Sequence, residues 1–275
     1  IGPTLEKLSN EDPGLRVVIL GLDPWMFNWR FKQSPGTSDT SEWLSFFNRL
    51  RAFLVGNWRL PYIDFLKGKF TMQELIQRHN ESPNIGLSAL IQQNGFTNDG
   101  SFYYGEVTNS ALPDHGLKDL LAPYLYNIHK DHGSFEYGTT TDPARMDDLD
   151  QMLRIAHARG IYVVGFITPY EPSIYAELTS TNDAYNAELH TLPKELAVEF
   201  KTYGYPLFDF TDPRTAQIPA SEFINLDHTT DKGTLRMLIA MARQDPTLRS
   251  YVSLNSLETL LNNTAGDFIL KYPRD

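Results

Sequence analysis

Arg16-Val17-Val18-Ile19-Leu20-Gly21-Leu22, followed at once by Asp23-Pro24, is the stretch on which the fold turns. A short apolar run rich in β-branched residues, closed by Asp-Pro, suits a strand buried on both faces. Two further runs repeat it: Ile161 to Ile167 (IYVVGFI) and Pro206 to Phe210 (PLFDF). A helix precedes the second run. Asp142-Pro143 opens it, Met146, Leu149, Met152, Leu153 and Ala156 form its apolar stripe, and Gly160 closes it. Helix, short turn and buried strand make half of a βαβ unit. A loop rich in Pro and Tyr (TPYEPSIY, from Thr168) follows, and Asp183 to Phe200 reads as the next helix. This alternation predicts an α/β fold with a parallel sheet and helices on both faces.

Trp25 to Asp142 breaks the rhythm. It holds amphipathic pieces near Glu42–Val55 and Phe70–Arg78, and long irregular segments such as NGFTNDGSFYYGEVTNSALPDHG. The expectation is a single α/β domain over 1–275 carrying a large irregular insertion at about 25–142. Two helices are expected near the end, at Asp231–Arg243 and Asn255–Asn262.

Composition narrows the function. The 275 residues include 24 Lys and Arg against 34 Asp and Glu, a net charge of −10 with His neutral. With no basic cluster, a nucleic-acid backbone is not expected as a generic partner, and an anionic membrane surface is disfavoured for the same reason. The absence of cysteine removes disulfide scaffolds, zinc-thiolate and iron–sulfur sites, and cysteine nucleophiles. No apolar run reaches the roughly 18 residues of a membrane span. The chain opens Ile1-Gly2-Pro3 without Met. It reads as the soluble part of something longer, reaching a membrane only through an anchor ahead of Ile1.

Ligands of parallel α/β sheets bind at the carboxyl ends of the strands. Asp23, Trp25 and Asn28 follow the first strand, and Thr168, Tyr170 and Glu171 the second. Asp209, Thr211 and Asp212 close the third, and Asn225-Leu226-Asp227-His228 comes shortly after. There Thr229, Thr230 or Asp231 can cap the next helix. A His and a carboxylate just ahead of a helix are well placed for acid–base work. Asp23 facing His228 across the strand ends would make a proton-transfer pair. Bland readings stand beside these: Asp23-Pro24 as a turn, His228 as a helix lead-in, Asn98-Asp99-Gly100 as a turn alone. The run His129-Lys130-Asp131-His132 matches no metal-ligand spacing; no metal and no cofactor are expected.

The order of these blocks resembles the SGNH (GDSL-type) hydrolase superfamily. RVVILGLD aligns with that family's first strand and Gly-Asp-Ser turn, and SEFINLDHTTDKG with its late Asp-x-x-His block. The segments GFTNDGSFYYG and GFITPYEPSIY look like a bacterial branch associated with exopolysaccharide and cell-envelope modification. The resemblance implies a three-layer, flavodoxin-like sandwich, with a Ser nucleophile, a His that takes its proton and an Asp that orients the His. His228 matches the family's His. Asn225 falls where the orienting Asp belongs, with Asp227 adjacent as a substitute. Asp23 falls where the Ser belongs, and an Asp there forms no ordinary acyl-serine. Ser101, after Asn98-Asp99-Gly100, is the candidate for a relocated nucleophile. Trp25, Asn28, Asn98, Asp99 and Tyr170 are the candidate substrate contacts.

The implied function is an extracytoplasmic, periplasmic or cell-surface, esterase or O-acyltransferase-like protein. Its partner would be a carbohydrate polymer or acylated sugar, with envelope assembly proteins alongside. The rival is a catalytically inactive domain serving as a polysaccharide-binding or assembly scaffold. A third option is a glycosidase on paired carboxylates, Asp23 with Asp209 or Asp227.

Overall fold

The computed structural model describes residues 2–28, 59–81, 94–96, 102–104, 116–132, 135, 140–181 and 183–268. The chain divides into two units, 1–32 with 117–270, and 33–116 with 271–275. In the first unit the order is α1 (Gly2–Glu11), β1 (Val17–Leu22), a 3-10 turn (Pro24–Phe27), α2 (Leu117–His129), α3 (Pro143–Ala158) and β2 (Tyr162–Ile167). It continues with α4 (Pro172–Thr181), α5 (Asp183–Thr202), β3 (Leu207–Asp209), two 3-10 turns (Pro213–Ala216, Ala220–Glu222), α6 (Asp231–Gln244), α7 (Pro246–Tyr251) and α8 (Leu254–Asn263).

The three strands form one parallel sheet in the order β1-β2-β3, so the chain is α/β as its alternation predicts. Register decides where chemistry can sit. Leu22 lies opposite Ile167, and Ile167 opposite Asp209. The residues that follow are therefore level: the Thr168 amide donates to Leu22 O at 3.1 Å, and the Phe210 amide to Ile167 O at 3.2 Å. Asp23 and Thr168 sit side by side at the carboxyl edge.

Each face of the sheet carries its own core. Side chains alternate along a strand, so Val163 and Ile167 pack with Leu149 and Leu153 of α3 and with Leu196 and Phe200 of α5. Val164 points the other way, into a cluster with Ile174 and Leu178 of α4 and Met237 and Met241 of α6. The helix α3 has the ends its sequence specifies. The Asp142 carboxylate accepts from the Ala144 amide at 3.0 Å, Pro143 occupies the first turn, and Gly160 closes the helix at φ +68°.

Two segments depart from expectation. TPYEPSIY is not a loop throughout, because α4 starts at Pro172. Glu171 caps it: its carboxylate accepts from the Ser173 amide at 2.7 Å and the Ile174 amide at 3.3 Å, and Pro172 needs no donor there. Within the stretch 25–142, expected to be irregular, Leu117–His129 is a thirteen-residue helix belonging to the first unit. Leu117, Leu121, Tyr124, Leu125 and Ile128 form its apolar side, despite Pro123 in its interior.

In the second unit, helices run over Arg59–Leu66 and Met72–Glu81. The latter matches the amphipathic piece at Phe70–Arg78; the one at Glu42–Val55 lies outside the described residues. Thr71 and Glu74 exchange amide bonds as a capping box. Asn94–Phe96 and Phe102–Tyr104 pair antiparallel, with Phe102 edge-on to Phe96 at 5.1 Å. Among the described residues, no helix is long and apolar enough to cross a membrane.

Gly165 is the tightest point of the sheet. A Cβ there would lie 2.3 Å from the Phe200 ring and 2.9 Å from Leu207 Cδ1. Phe200 is fully buried and has nowhere to retreat. Gly165→Ala is expected to destabilise the fold by about 1–3 kcal/mol through overpacking. A urea titration checks this: Phe200→Leu in the same chain should recover part of the loss, and an additive loss would contradict the steric cause.

Candidate functional site

Asp23 ends β1 and precedes the 3-10 turn of Pro24–Phe27. That turn is closed by backbone, with the Met26 amide donating to Asp23 O at 3.0 Å, and the Asp23 side chain makes no cap bond. The carboxylate is therefore not consumed by its own turn. Its Oδ1 accepts instead from the Thr168 hydroxyl at 2.7 Å, which ties the tips of β1 and β2 together.

His228 sits in a tight loop between Phe223 and Thr229, which bridge antiparallel. The Ile224 amide donates to His228 O at 2.8 Å. Asn225 organises the interior: its Oδ1 accepts from the amides of Asp227 at 3.2 Å and His228 at 2.8 Å. Buried Leu226 pins the loop to the end of β2, its carbonyl accepting from the Glu171 amide at 3.0 Å. The cap of α6 is Thr230, whose hydroxyl accepts from the Gly233 amide at 3.2 Å. His228 is thus not the capping residue. Gly233 is required by close approach, since a Cβ there would meet Glu222 O at 2.9 Å.

The imidazole is oriented by two acceptors. Nδ1 lies 2.9 Å from Asp227 Oδ1 and 3.0 Å from Asn225 Oδ1. The Asn225 oxygen is identified by the two amides it already accepts, so Nδ1 must carry the proton. In the neutral ring that leaves the basic lone pair on Nε2, which has no hydrogen-bond partner among the described residues. The His228 side chain is 55% exposed. Its pKa is raised above the ordinary histidine value, chiefly by the hydrogen bond to Asp227. The charges of Asp227 and Asp23 add to this, and burial opposes it. A raised folded-state pKa means that protonated His228 stabilises the fold fully below about pH 6.5, the usual unfolded value, and that this contribution is lost as pH rises through the folded-state pKa.

Asp23 acts on His228 through space; among the described residues His228's ring bonds to Asp227 and Asn225, not to Asp23. The cluster is a histidine oriented by its own loop, with a second carboxylate nearby. Asp209 and Asp212 are engaged locally instead. Asp209 accepts from the Thr211 amide at 3.0 Å, and Asp212 binds Arg214, which holds the Asp212 carboxyl below the usual range.

Among the expected substrate contacts, Tyr170 is buried and packs toward Phe135 in the core, so its ring has a structural place. Asn28 is also buried, in an extended bridge to Thr141, and Trp25 is half-buried. Asn98, Asp99 and Ser101 lie outside the described residues. Three residues carried no sequence signal: Tyr124 of α2, which donates to Asp227 Oδ1 at 3.0 Å, and buried Glu222 with its partner Arg236, next to the loop. The position of Thr168, first after its strand, was the only hint of its role.

His129 Nε2 lies 2.6 Å from Glu177 Oε1, tying α2 to α4. Among the described residues no group of three or more ligating side chains could hold a metal. A cleft of about 520 Å³ lined by Thr141, Met146, Asp147, Glu195 and Glu199 lies between α3 and α5 and shares no residue with the His228 cluster.

Fold and site together define an α/β protein with an acid–base cluster at the carboxyl end of a parallel sheet. Comparison with protein-family models, curated proteins and solved structures found no match.

Proposed function

We propose that this chain is an SGNH-like, three-layer esterase or O-acyltransferase acting on acylated carbohydrate of an envelope or exopolysaccharide, outside the cytoplasm. The observation that carries the reading is His228, whose Nδ1 is held by Asp227 and Asn225 so that Nε2 is the basic nitrogen. Nε2 takes a proton from water, or from a sugar hydroxyl in transfer. The oxygen attacks the acyl carbon and the carbonyl electrons move to its oxygen. When the adduct collapses, the ester C–O bond breaks and His228 returns the proton to the departing sugar oxygen. Asp227 stabilises the imidazolium between the two transfers, and Asp23 adds negative potential. Asp23 stands where the resemblance puts serine, so the acyl group passes directly to water or acceptor without an acyl-serine.

Acetate release from acetylated oligosaccharides tests this. The full chain is expected to release acetate, with the rate reduced in Asp23→Ala and unaffected by a serine-directed phosphonate. Labelling of Ser101 with loss of activity would replace direct attack by a relocated nucleophile. The loss of serine at the first block favours the scaffold reading. Polysaccharide binding by calorimetry without any acetate release would establish it.

A further inference from the structure

One oxygen of Asp227 serves two donors. His228 Nδ1 approaches Oδ1 at 2.9 Å from the same loop, and the Tyr124 hydroxyl donates to the same Oδ1 at 3.0 Å from α2, more than a hundred residues away. Tyr124 is held independently of this contact. Its ring packs against the core on the α2 side and lies edge-on to buried Phe135 at 5.9 Å.

We propose that Tyr124 is a positioning residue that divides the Asp227 carboxylate oxygen with His228 and so limits how strongly that carboxylate draws a proton onto the imidazole. An oxygen that already accepts a good hydrogen bond is a weaker acceptor for the next donor, because that bond already stabilises its negative charge. The Tyr124 phenol is pushed well above its ordinary range, by burial first and then by the charge and hydrogen bond of Asp227. It is therefore a neutral donor wherever His228 titrates, and its effect is constant across that range. The groups that face His228 are Asp227 and Asn225 from its own loop and Asp23 from the end of β1, with Tyr124 acting through Asp227. Removing the phenol oxygen leaves Asp23 and Asn225 in place, so their contributions cancel in a comparison.

The catalytic meaning of this coupling rests on His228 being the base, but the coupling itself is read without substrate. The experiment is an NMR pH titration of the histidine ring protons in the full-length chain. In Tyr124→Phe, which keeps the ring and its packing, the His228 midpoint is expected to move upward while the other histidines stay put. In Asp227→Asn it is expected to fall, and adding Tyr124→Phe to that variant should move it much less. Where Tyr124→Phe does not fold, 3-fluorotyrosine at position 124, a stronger donor, should lower the midpoint instead. An unchanged or lowered midpoint in Tyr124→Phe would overturn the proposal, a lowered one showing that the phenol serves only to hold Asp227 against the ring. A clear coupling in a chain that releases no acetate would support this inference while overturning the esterase reading.

Discussion

Arg236→Met is expected to destabilise the protein by about 3–5 kcal/mol at neutral pH, the usual cost of leaving one member of a buried ion pair uncompensated. The size follows from which partner is left behind. Glu222 is 2% exposed, and Arg236 grips it with Nε at 2.7 Å and Nη2 at 2.9 Å. Lys232 comes no closer than 4.0 Å, and its ammonium is already committed to the carbonyls of Thr264 at 3.0 Å and Gly266 at 2.6 Å. Without Arg236 the buried carboxylate is left with no close cation, where an unpaired charge is costly. Glu222→Gln is expected to cost less, because the Arg236 side chain is a quarter exposed and can turn its charge toward solvent. Urea midpoints of the two variants check the argument. Equal losses would place the cost in packing rather than in the carboxylate. The Glu222 carbonyl also accepts from the Thr230 amide at 2.9 Å, so this pair anchors the start of α6, from which the His228 loop departs.

The parts of this design that were legible in the sequence are the parts whose physics is local. The strands announced themselves as apolar runs, but only the central strand β2 is buried on both faces; the edge strand β1 leaves Ile19 43% exposed on one of them. The helix α3 was legible because its cap, stripe and terminal glycine lie within twenty residues. Asn225, Asp227 and His228 could be grouped because they share one loop, where Asn225 reaches amides two and three residues on. Two helices were hidden by their own punctuation. Pro172 reads as loop until Glu171 is seen to cap the turn behind it, and Pro123 interrupts a stripe that tertiary packing nevertheless holds helical. Tyr170 looked like a ligand contact from its place after a strand. Yet its amide bonds to Thr211 O at 3.3 Å and its ring turns into the core, a choice set by a neighbouring strand tip. Tyr124 and Arg236 bring nothing to the sequence that marks them, and Thr168 only its place after a strand. Each acquires its role only from a partner the fold carries to it.

His228→Ala is expected to reduce acetate release by about 10²–10⁴-fold, the range for loss of a general acid–base. Asp227→Asn should be milder. It removes one charge-assisted hydrogen bond worth about 1.5–3 kcal/mol, roughly 10–10²-fold in rate, and Asn225 still accepts from Nδ1 at 3.0 Å to keep the tautomer. The pH profile separates chemistry from damage. A base must be deprotonated, so the rate should rise with pH through a limb above the ordinary histidine value, because Asp227 and Asp23 both stabilise the imidazolium. Asp227→Asn should carry that limb to lower pH while lowering its plateau, and Asp23→Asn should carry it the same way by less, since Asp23 acts only through space. A variant that merely loosened the loop would lower the plateau and leave the limb where it was. A wild-type rate that fell as pH rose through this range would instead require protonated His228, making it a general acid and removing the direct-attack mechanism.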